Sequence, residues 1–226
     1  MIKSMAAFVS ETFSIYNNPE FNNLKKLYSY LDKYINCLGN AEIHLDEGHS
    51  FSNFCGDTAT GIKWTWAMNS IGIGYFDNFL KSINFYKNIE PRLGKFHIRG
   101  ASFITINESK VDNSDFHLDV MTRYNSADLT TNILTIIFPL YELEEDMGHL
   151  EYKKNGETHL YEYKTSEMLV WDSCTFEHRT HPYTLKRKRK RILVSINLST
   201  DEDWAKSALD NTTIMQGNLY SRKSKI

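Results

Sequence analysis

Residues 116–120 read Phe-His-Leu-Asp-Val, and this short stretch decides how the rest of the chain is interpreted. Side chains alternate between the two faces of a β-strand, so residues two positions apart point the same way. His117 and Asp119 are therefore predicted to project together from one strand. His178, on a neighbouring strand, would complete a set of two histidines and one carboxylate. Such a set is typical of non-haem Fe(II) sites, because it leaves adjacent coordination positions open.

The sequence downstream of this stretch contains further parts in a characteristic order. In that order the chain resembles the Fe(II)- and 2-oxoglutarate-dependent oxygenases over about residues 95–200, and it is most similar to their prolyl-4-hydroxylase-like branch. The parts are the His117 and Asp119 pair, an apolar segment at 132–140, an acidic turn at 144–148, a segment ending Trp-Asp-Ser at 169–173, His178, and Arg191 at the start of an apolar run.

Two positions depart from the pattern of that branch. Met147 stands where the first residue of a Gly-Gly pair is usual, and Arg191 stands where a lysine is usual. Arginine is the commoner choice elsewhere in the superfamily. The second departure therefore questions the branch and leaves the superfamily resemblance intact.

The resemblance implies a mainly β fold with flanking helices, namely a double-stranded β-helix of the jelly-roll, cupin-like type. It implies that His117, Asp119 and His178 bind Fe(II) and are catalytic. It also implies 2-oxoglutarate as co-substrate, with Arg191 and Ser195 on its distal carboxylate, and O2 as oxidant. The reaction would hydroxylate an unactivated C–H bond and release succinate and CO2. Chlorinating relatives have glycine or alanine in place of Asp119, so chlorination is a poor match.

The position of Arg191 agrees with this role. Strand alternation places Arg191 on the same face as Leu193 and Ser195, and a guanidinium held there can pair with a carboxylate through two hydrogen bonds. Arg189 has the same parity and is the alternative.

A second histidine, His181, lies three positions after His178. In an extended segment the two side chains face opposite sides. The family pattern, with Pro182 four positions after the ligand, favours His178, and His181 is predicted to point away from the metal.

Patterns elsewhere predict the secondary structure. Apolar residues recur at spacings of three and four across 19–37 and across 75–86, which predicts two helices outside a sheet core. The polar segment 41–61 is predicted to be a solvated loop and not a metal site. Strand signals cover 95–107 and 132–140, with Pro139 ending the second strand, and Asn-Gly within 150–163 indicates a hairpin. Short strands separated by turns favour a double-sheet fold, the jelly roll.

Length and composition favour one globular domain. The chain has 226 residues, of which 41% are hydrophobic and 24% charged, and its formal net charge is -2. We expect a single domain over 1–226, with a helical N-terminal part at about 1–94, a jelly-roll core at about 95–200 and a C-terminal tail at 201–226. A slightly acidic chain has no general attraction for nucleic acid or anionic lipid.

The basic run at 186–191, Lys-Arg-Lys-Arg-Lys-Arg, is the local exception. It could be a nucleic-acid patch. A solvated hairpin end is favoured, because an electrostatic footprint normally extends beyond one segment.

The three cysteines, Cys37, Cys55 and Cys174, have no paired spacing that would indicate a disulfide framework or a zinc site. No segment has the length of a membrane span, and the apolar run near the N-terminus is too short for a secretory signal. We therefore expect a cytoplasmic protein without a membrane partner.

The substrate is less well defined by the sequence. Arg123 and Tyr124, in the loop after the ligand strand, and Trp171 are candidate substrate contacts. Trp64 and Trp66 lie in the N-terminal part, which varies with substrate in this superfamily. A compact chain without a peptide-binding or nucleic-acid module favours a small-molecule substrate, for example a free amino acid. The alternatives are a hydroxylase of a protein or peptide side chain, and a non-catalytic jelly roll that binds a ligand or metal.

Overall fold

The computed structural model describes residues 7–10, 13–17, 21–35, 41–44, 50–55, 62–106, 115–120, 131–183 and 190–217. These residues form twelve strands and four helices. In chain order they are β1 (Ala7–Ser10), β2 (Phe13–Asn17), α1 (Asn22–Ile35), β3 (Ala41–His44), β4 (Ser50–Cys55), β5 (Ile62–Ala67), α2 (Ser70–Ser82), α3 (Phe85–Leu93), β6 (His97–Ile106), β7 (Ile133–Pro139), β8 (Leu150–Lys154), β9 (Glu157–Tyr161), β10 (Glu167–Asp172), β11 (His178–Thr180), β12 (Arg191–Ser199) and α4 (Asp203–Met215).

Two antiparallel sheets face each other. Within the described residues the larger sheet has nine strands in the order β1-β2-β10-β7-β12-β6-β5-β4-β3, and the smaller has the order β11-β8-β9. Leu150 of the small sheet packs with Trp171 and Leu193 of the large sheet in one buried apolar cluster. Two sheets that share an apolar interior in this way form the predicted jelly roll, and the mainly β fold with flanking helices is confirmed.

The central strands of the large sheet are buried on both faces, because helices cover the side that faces away from the small sheet. Along β12, Ile192 and Val194 point to the helices, whereas Leu193 points to the small sheet. Helix α1 packs an apolar stripe against this face of the large sheet. Directly before the helix, the ring of Phe21 stacks on that of Phe138 in β7, with 4.4 Å between the ring centroids. The helix predicted over 19–37 is thus confirmed as α1.

The N-terminal part contains more strand than its sequence suggests. Helices α1, α2 and α3 lie within 1–94 as expected, but strands β1 to β5 lie there too, so the helical description of that part is incomplete. The loop predicted at 41–61 is wrong, because β3 and β4 lie in it. Strand β4 pairs with β5, placing Ser52 opposite Trp66, and β3 pairs with β4, placing Ile43 opposite Phe51. Polar residues form these strands because backbone hydrogen bonds to a neighbour do not depend on β-branched side chains.

The second predicted helix, 75–86, is wrong in its bounds. Two helices, α2 and α3, occupy this region, and Asn84 separates them with a left-handed φ of 56°. Asparagine tolerates this conformation better than most residues, which explains the break at this position. Helix α2 begins earlier than predicted because the side chain of Asn69 caps it by accepting a hydrogen bond from the backbone NH of Gly72.

Strand and turn predictions in the core agree with the structure. The segments predicted at 95–107 and 132–140 are β6 and β7, and Pro139 is the last residue of β7. The predicted hairpin is formed by β8 and β9. Its Asn155 and Gly156 have φ values of 53° and 81°, the two positive values that a type I′ turn requires.

The predicted C-terminal tail contains helix α4, which packs on the sheet. Ala205 and Leu209 are buried against Val120 and Ile133, and Trp66 donates its indole NH to the Gln216 carbonyl at 2.7 Å. Trp66 is fully buried. Among the described residues, no helix combines the length and apolarity needed to cross a membrane.

Gly148, just before β8, is a glycine that no other residue can replace without strain and overlap. Its φ is +67°, and a Cβ would lie 2.3 Å from Tyr183 Cδ1 and 2.9 Å from Thr180 Cγ2. We expect Gly148→Ala to lower the free energy of unfolding by about 2–4 kcal/mol, combining left-handed strain with overpacking. Urea unfolding measures the change. Gly156→Ala is the matched control, since its φ is +81° but no atom lies within 4 Å, and it should cost only about 1 kcal/mol. Equal losses in the two variants would contradict the packing argument.

Candidate metal centre

His117 and His178 are joined through their backbones. The NH of each residue donates to the carbonyl of the other, at 2.9 and 3.0 Å. Among the described residues this is the only pairing of the stretch 116–120, which is an isolated bridge followed by a bend at Asp119 and Val120. The prediction of a regular ligand strand is therefore wrong. Val120 turns inward, where its NH donates to the Ser173 carbonyl at 3.0 Å.

The three side chains predicted to bind metal nonetheless come together. One ligand atom each from His117, Asp119 and His178 lies within 4.8 Å of the others, and His178 Nε2 is 3.5 Å from Asp119 Oδ1. His178 is buried, Asp119 is partly buried and His117 is exposed. The cluster therefore has a solvent-facing side at His117 and a protein-facing side at His178.

Both imidazoles are oriented by the backbone of their own segment. His117 Nδ1 lies 2.8 Å from the Asp115 carbonyl, and His178 Nδ1 lies 3.0 Å from the Phe176 carbonyl. A carbonyl oxygen can only accept, so Nδ1 carries the hydrogen in both rings, and in the neutral imidazole Nε2 then keeps its lone pair. This arrangement is the usual one for metal-binding histidines. Two free Nε2 atoms and one carboxylate oxygen fit a divalent transition metal such as Fe(II).

Asp119 is held through its other oxygen. Oδ2 accepts hydrogen bonds from Thr135 Oγ1 at 2.7 Å and from Trp171 Nε1 at 2.8 Å. Thr135 of β7 and Trp171 of β10 are direct partners in the sheet. The polar atom of Trp171, predicted to be a substrate contact, is therefore directed at a candidate metal ligand.

Thr135 belongs to a small buried polar group. Its hydroxyl lies 2.8 Å from Ser173 Oγ and 3.4 Å from Asn197 Oδ1. The sequence analysis missed these residues. Thr135 is the one hydroxyl residue inside an apolar strand, which is a signal in principle, but alternation alone does not identify its partner.

Arg191 lies on the inner face, as predicted. It is 3% exposed, and its Nε donates to the Gly148 carbonyl at 3.0 Å. The guanidinium carbon is 5.8 Å from the Tyr163 ring centre and 6.0 Å from that of Tyr183. None of the described carboxylates forms an ion pair with Arg191. Ser195, on the same face of β12, is also buried.

Tyr163, which no sequence motif indicated, is buried and has its guanidinium neighbour Arg191 5.8 Å from the ring centre. Burial above all raises the pKa of its phenol to about 12, with Arg191 acting to lower the pKa and Asp119 to raise it. The phenol is therefore protonated at neutral pH, within electrostatic reach of both residues. A protonated phenol can act as a hydrogen-bond donor.

The remaining candidates fall in two groups. Arg123, Tyr124 and Arg189 lie outside the described residues. His181 lies outside the cluster, since its Nδ1 is 2.7 Å from Glu151 Oε1.

Glu151 of β8 pairs with side chains that follow His178 in the chain, namely Arg179 and His181. Its other oxygen, Oε2, accepts from Arg179 Nε at 2.5 Å. Burial alone would raise the pKa of this carboxyl, but the hydrogen bonds from His181 and Arg179 leave the pKa below its ordinary value.

This shift gives an acid-sensitive contribution to stability. A carboxylate with a lowered folded-state pKa stabilises the fold above its unfolded pKa, and the contribution disappears as pH falls through the folded-state value. Glu151→Gln should therefore be less stable than wild type at pH 7, with a difference that shrinks below a pH of about 4.3. Urea unfolding across pH measures this. Glu157→Gln, at an exposed carboxylate, should show no such trend. A difference for Glu151→Gln that stays constant with pH would contradict the expectation.

Comparison with known proteins places the fold among oxygenases. No protein-family model and no curated protein sequence matches the chain. A prolyl-4-hydroxylase from Pseudomonas putida matches with a TM-score of 0.55 and 14% identity, covering 86% of this chain and 96% of that one. A prolyl hydroxylase from Trichoplax adhaerens, in complex with a hypoxia-inducible-factor peptide, matches with a TM-score of 0.57 and 15% identity, covering 88% of each chain.

A third match carries a metal and a co-substrate. HygX from Streptomyces hygroscopicus, with nickel and 2-oxoglutarate bound, has a TM-score of 0.54 and 9% identity, and covers 86% of this chain and 85% of that one. Identities this low establish the fold alone. The chain therefore has the fold of the Fe(II)- and 2-oxoglutarate-dependent oxygenases, prolyl hydroxylases among them, as its sequence resemblance predicted.

Proposed function

We propose that the protein is an Fe(II)- and 2-oxoglutarate-dependent dioxygenase that hydroxylates an unactivated C–H bond of a small molecule and releases succinate and CO2. The observation that carries the proposal is the cluster of His117, Asp119 and His178, whose ligand atoms lie within 4.8 Å of one another inside this fold. The ligand set and the jelly roll are independent observations, one of side-chain chemistry and one of topology. Both support the same activity.

The metal-binding role rests on the orientation of the ligands. His117 and His178 would bind through Nε2, since Nδ1 of each is committed to a backbone carbonyl. Asp119 would bind through Oδ1, since Oδ2 is committed to Thr135 and Trp171. Fe(II) bound with 2-oxoglutarate and O2 supplies the oxidising chemistry, which amino-acid side chains lack. The protein contributes the positions of the ligands and the exclusion of water.

Arg191 is proposed to bind the distal carboxylate of 2-oxoglutarate. Its Nε is used by the Gly148 carbonyl, which fixes the side chain in place. Neither terminal nitrogen has a hydrogen-bond partner in the described part of the chain, so both can receive a bidentate carboxylate. Tyr163 and Ser195 supply hydroxyl groups on the same inner surface. A buried cation without a carboxylate partner is costly. Arg191 forms no ion pair with a carboxylate among the described residues, and an incoming dicarboxylate would supply one.

The substrate proposed is a small molecule, with free amino acids as the first class to test. A peptide substrate is the second candidate, because one similar structure is a prolyl hydroxylase holding a peptide. Succinate release with Fe(II), 2-oxoglutarate and O2 should be measured against a metabolite library and a peptide library. Strong coupling by a metabolite supports the first candidate, and coupling by peptides alone replaces it with the second. Metal and 2-oxoglutarate binding without succinate release would favour a non-catalytic binding protein.

The first expected outcome concerns the metal ligands. Asp119→Ala should abolish substrate-coupled succinate release, since one charge and one coordination position are lost. In oxygen-free titrations with Fe(II), His178→Ala should lose metal binding. His181→Ala is the matched control and should retain it, because its imidazole is bound to Glu151. Loss of binding in the His181 variant alone would overturn the ligand assignment.

The second expected outcome concerns the co-substrate. Arg191→Ala should raise the KM for 2-oxoglutarate by at least about tenfold, because removal of a charge-assisted pair costs more than about 1.4 kcal/mol. Fe(II) affinity should change little. Steady-state kinetics and anaerobic metal titration separate the two effects. If Arg189→Ala shows this behaviour and Arg191→Ala does not, Arg189 is the co-substrate residue.

A further inference from the structure

Oδ2 of Asp119 is occupied by two protein donors. Thr135 Oγ1 and Trp171 Nε1 reach it at 2.7 and 2.8 Å, both short distances for hydrogen bonds to a carboxylate. Oδ1 of the same carboxylate is directed at the cluster, 3.5 Å from His178 Nε2. The two oxygens therefore have different environments, one saturated by protein and one facing the site.

From this asymmetry we infer that Trp171 and Thr135 are positioning residues that make Asp119 a one-oxygen ligand; the inference rests on the proposed function. A carboxylate without such donors can bind a divalent ion through both oxygens. The second oxygen would then occupy a position that the two-histidine, one-carboxylate set leaves open for other ligands. By holding Oδ2 on the protein side, Trp171 and Thr135 keep that position available.

The surroundings of both donors explain why they stay in place. The indole of Trp171 packs against the rings of Phe176 and His178, at centroid distances of 5.1 and 4.9 Å. Thr135 is fixed by the Ser173 hydroxyl at 2.8 Å. The donors therefore sit on two adjacent strands whose side chains are packed, so the carboxylate is pre-oriented before any ion arrives.

This assigns Trp171 a role different from substrate contact. Its NH is already used by Asp119, and its ring is 2% exposed. A substrate contact would need the polar atom or the face of the ring to be accessible. Removal of the NH should therefore change the metal site before it changes the choice of substrate.

The test uses Mn(II) as a probe without turnover. Mn(II) affinity is measured by equilibrium titration, and the number of water molecules on the bound ion is counted from its effect on water-proton relaxation. Thr135→Val removes the hydroxyl at constant shape, whereas Thr135→Ser retains it. Trp171→Phe removes the indole NH. Leu169→Val is the packing control, because Leu169 packs in the same buried cluster as Trp171 and its side chain has no polar atom that could bond to Asp119.

We expect Thr135→Val and Trp171→Phe each to weaken Mn(II) binding by about 10- to 100-fold, and their combination to remove one water from the ion. Thr135→Ser and Leu169→Val should both retain wild-type affinity and water count. If Trp171→Phe does not fold, the Thr135 pair decides alone.

The outcomes separate this inference from the proposed function. If wild type binds Mn(II) but Thr135→Val keeps its affinity and water count, the inference is wrong and the metal site stands. Equal losses in Thr135→Val and Thr135→Ser, or in Trp171→Phe and Leu169→Val, would likewise overturn it in favour of packing. Absence of Mn(II) binding in wild type would overturn both.

Discussion

The reciprocal backbone pair between His117 and His178 is the constraint on which the site depends. Its two hydrogen bonds join segments 61 positions apart in the chain and place both histidines on the same side of the small sheet. No comparable pairing continues along the described part of this stretch. The chain is thus free to bend directly after the bridge, and the bend carries Asp119 towards β7 and β10.

The interior of the barrel is polar where the chemistry is proposed and apolar elsewhere. Near Asp119, the hydroxyls of Thr135 and Ser173 and the amide of Asn197 lie close together. Further along the same face, Leu193 and its neighbours are apolar, and Arg191 is bound to the Gly148 carbonyl. Buried polar groups are stable only when they are hydrogen-bonded. The satisfied group around Asp119 therefore orients the carboxylate rigidly.

The outer layers maintain this interior. Helix α1 and helix α2 cover one face of the large sheet, and the small sheet covers the other. Helix α4 closes one end, where Ala205 and Leu209 pack against Val120, the residue directly after Asp119. The bend that positions Asp119 is thus supported from both sides, by the Ser173 carbonyl and by the C-terminal helix. This support explains why a segment outside the oxygenase resemblance matters for the site.

The sequence by itself determined the features that depend on local pattern and on the order of motifs. These include the jelly roll, helix α1, the Asn-Gly hairpin, the apolar core strands and the three candidate ligands. Alternation also placed Arg191 on the inner face. The helix, the hairpin and the strands follow from residue spacing, turn chemistry and composition, whereas the ligand set follows from the resemblance of the motif order to the oxygenases.

Only the tertiary structure decided the rest, because those features depend on which distant segments meet. The polar strands β3 and β4 form by pairing with a neighbouring strand, and the β-propensity of their own residues does not predict them. From the sequence, Trp171 was predicted to contact substrate. In the fold its indole NH donates to Asp119, which lies 52 positions earlier in the chain. Tyr163 belongs to no motif, and Thr135 stands out only as a hydroxyl residue in an apolar strand. A hydrogen bond across a barrel is set by the pairing of strands and the packing of both faces, and that information exists only in the folded chain.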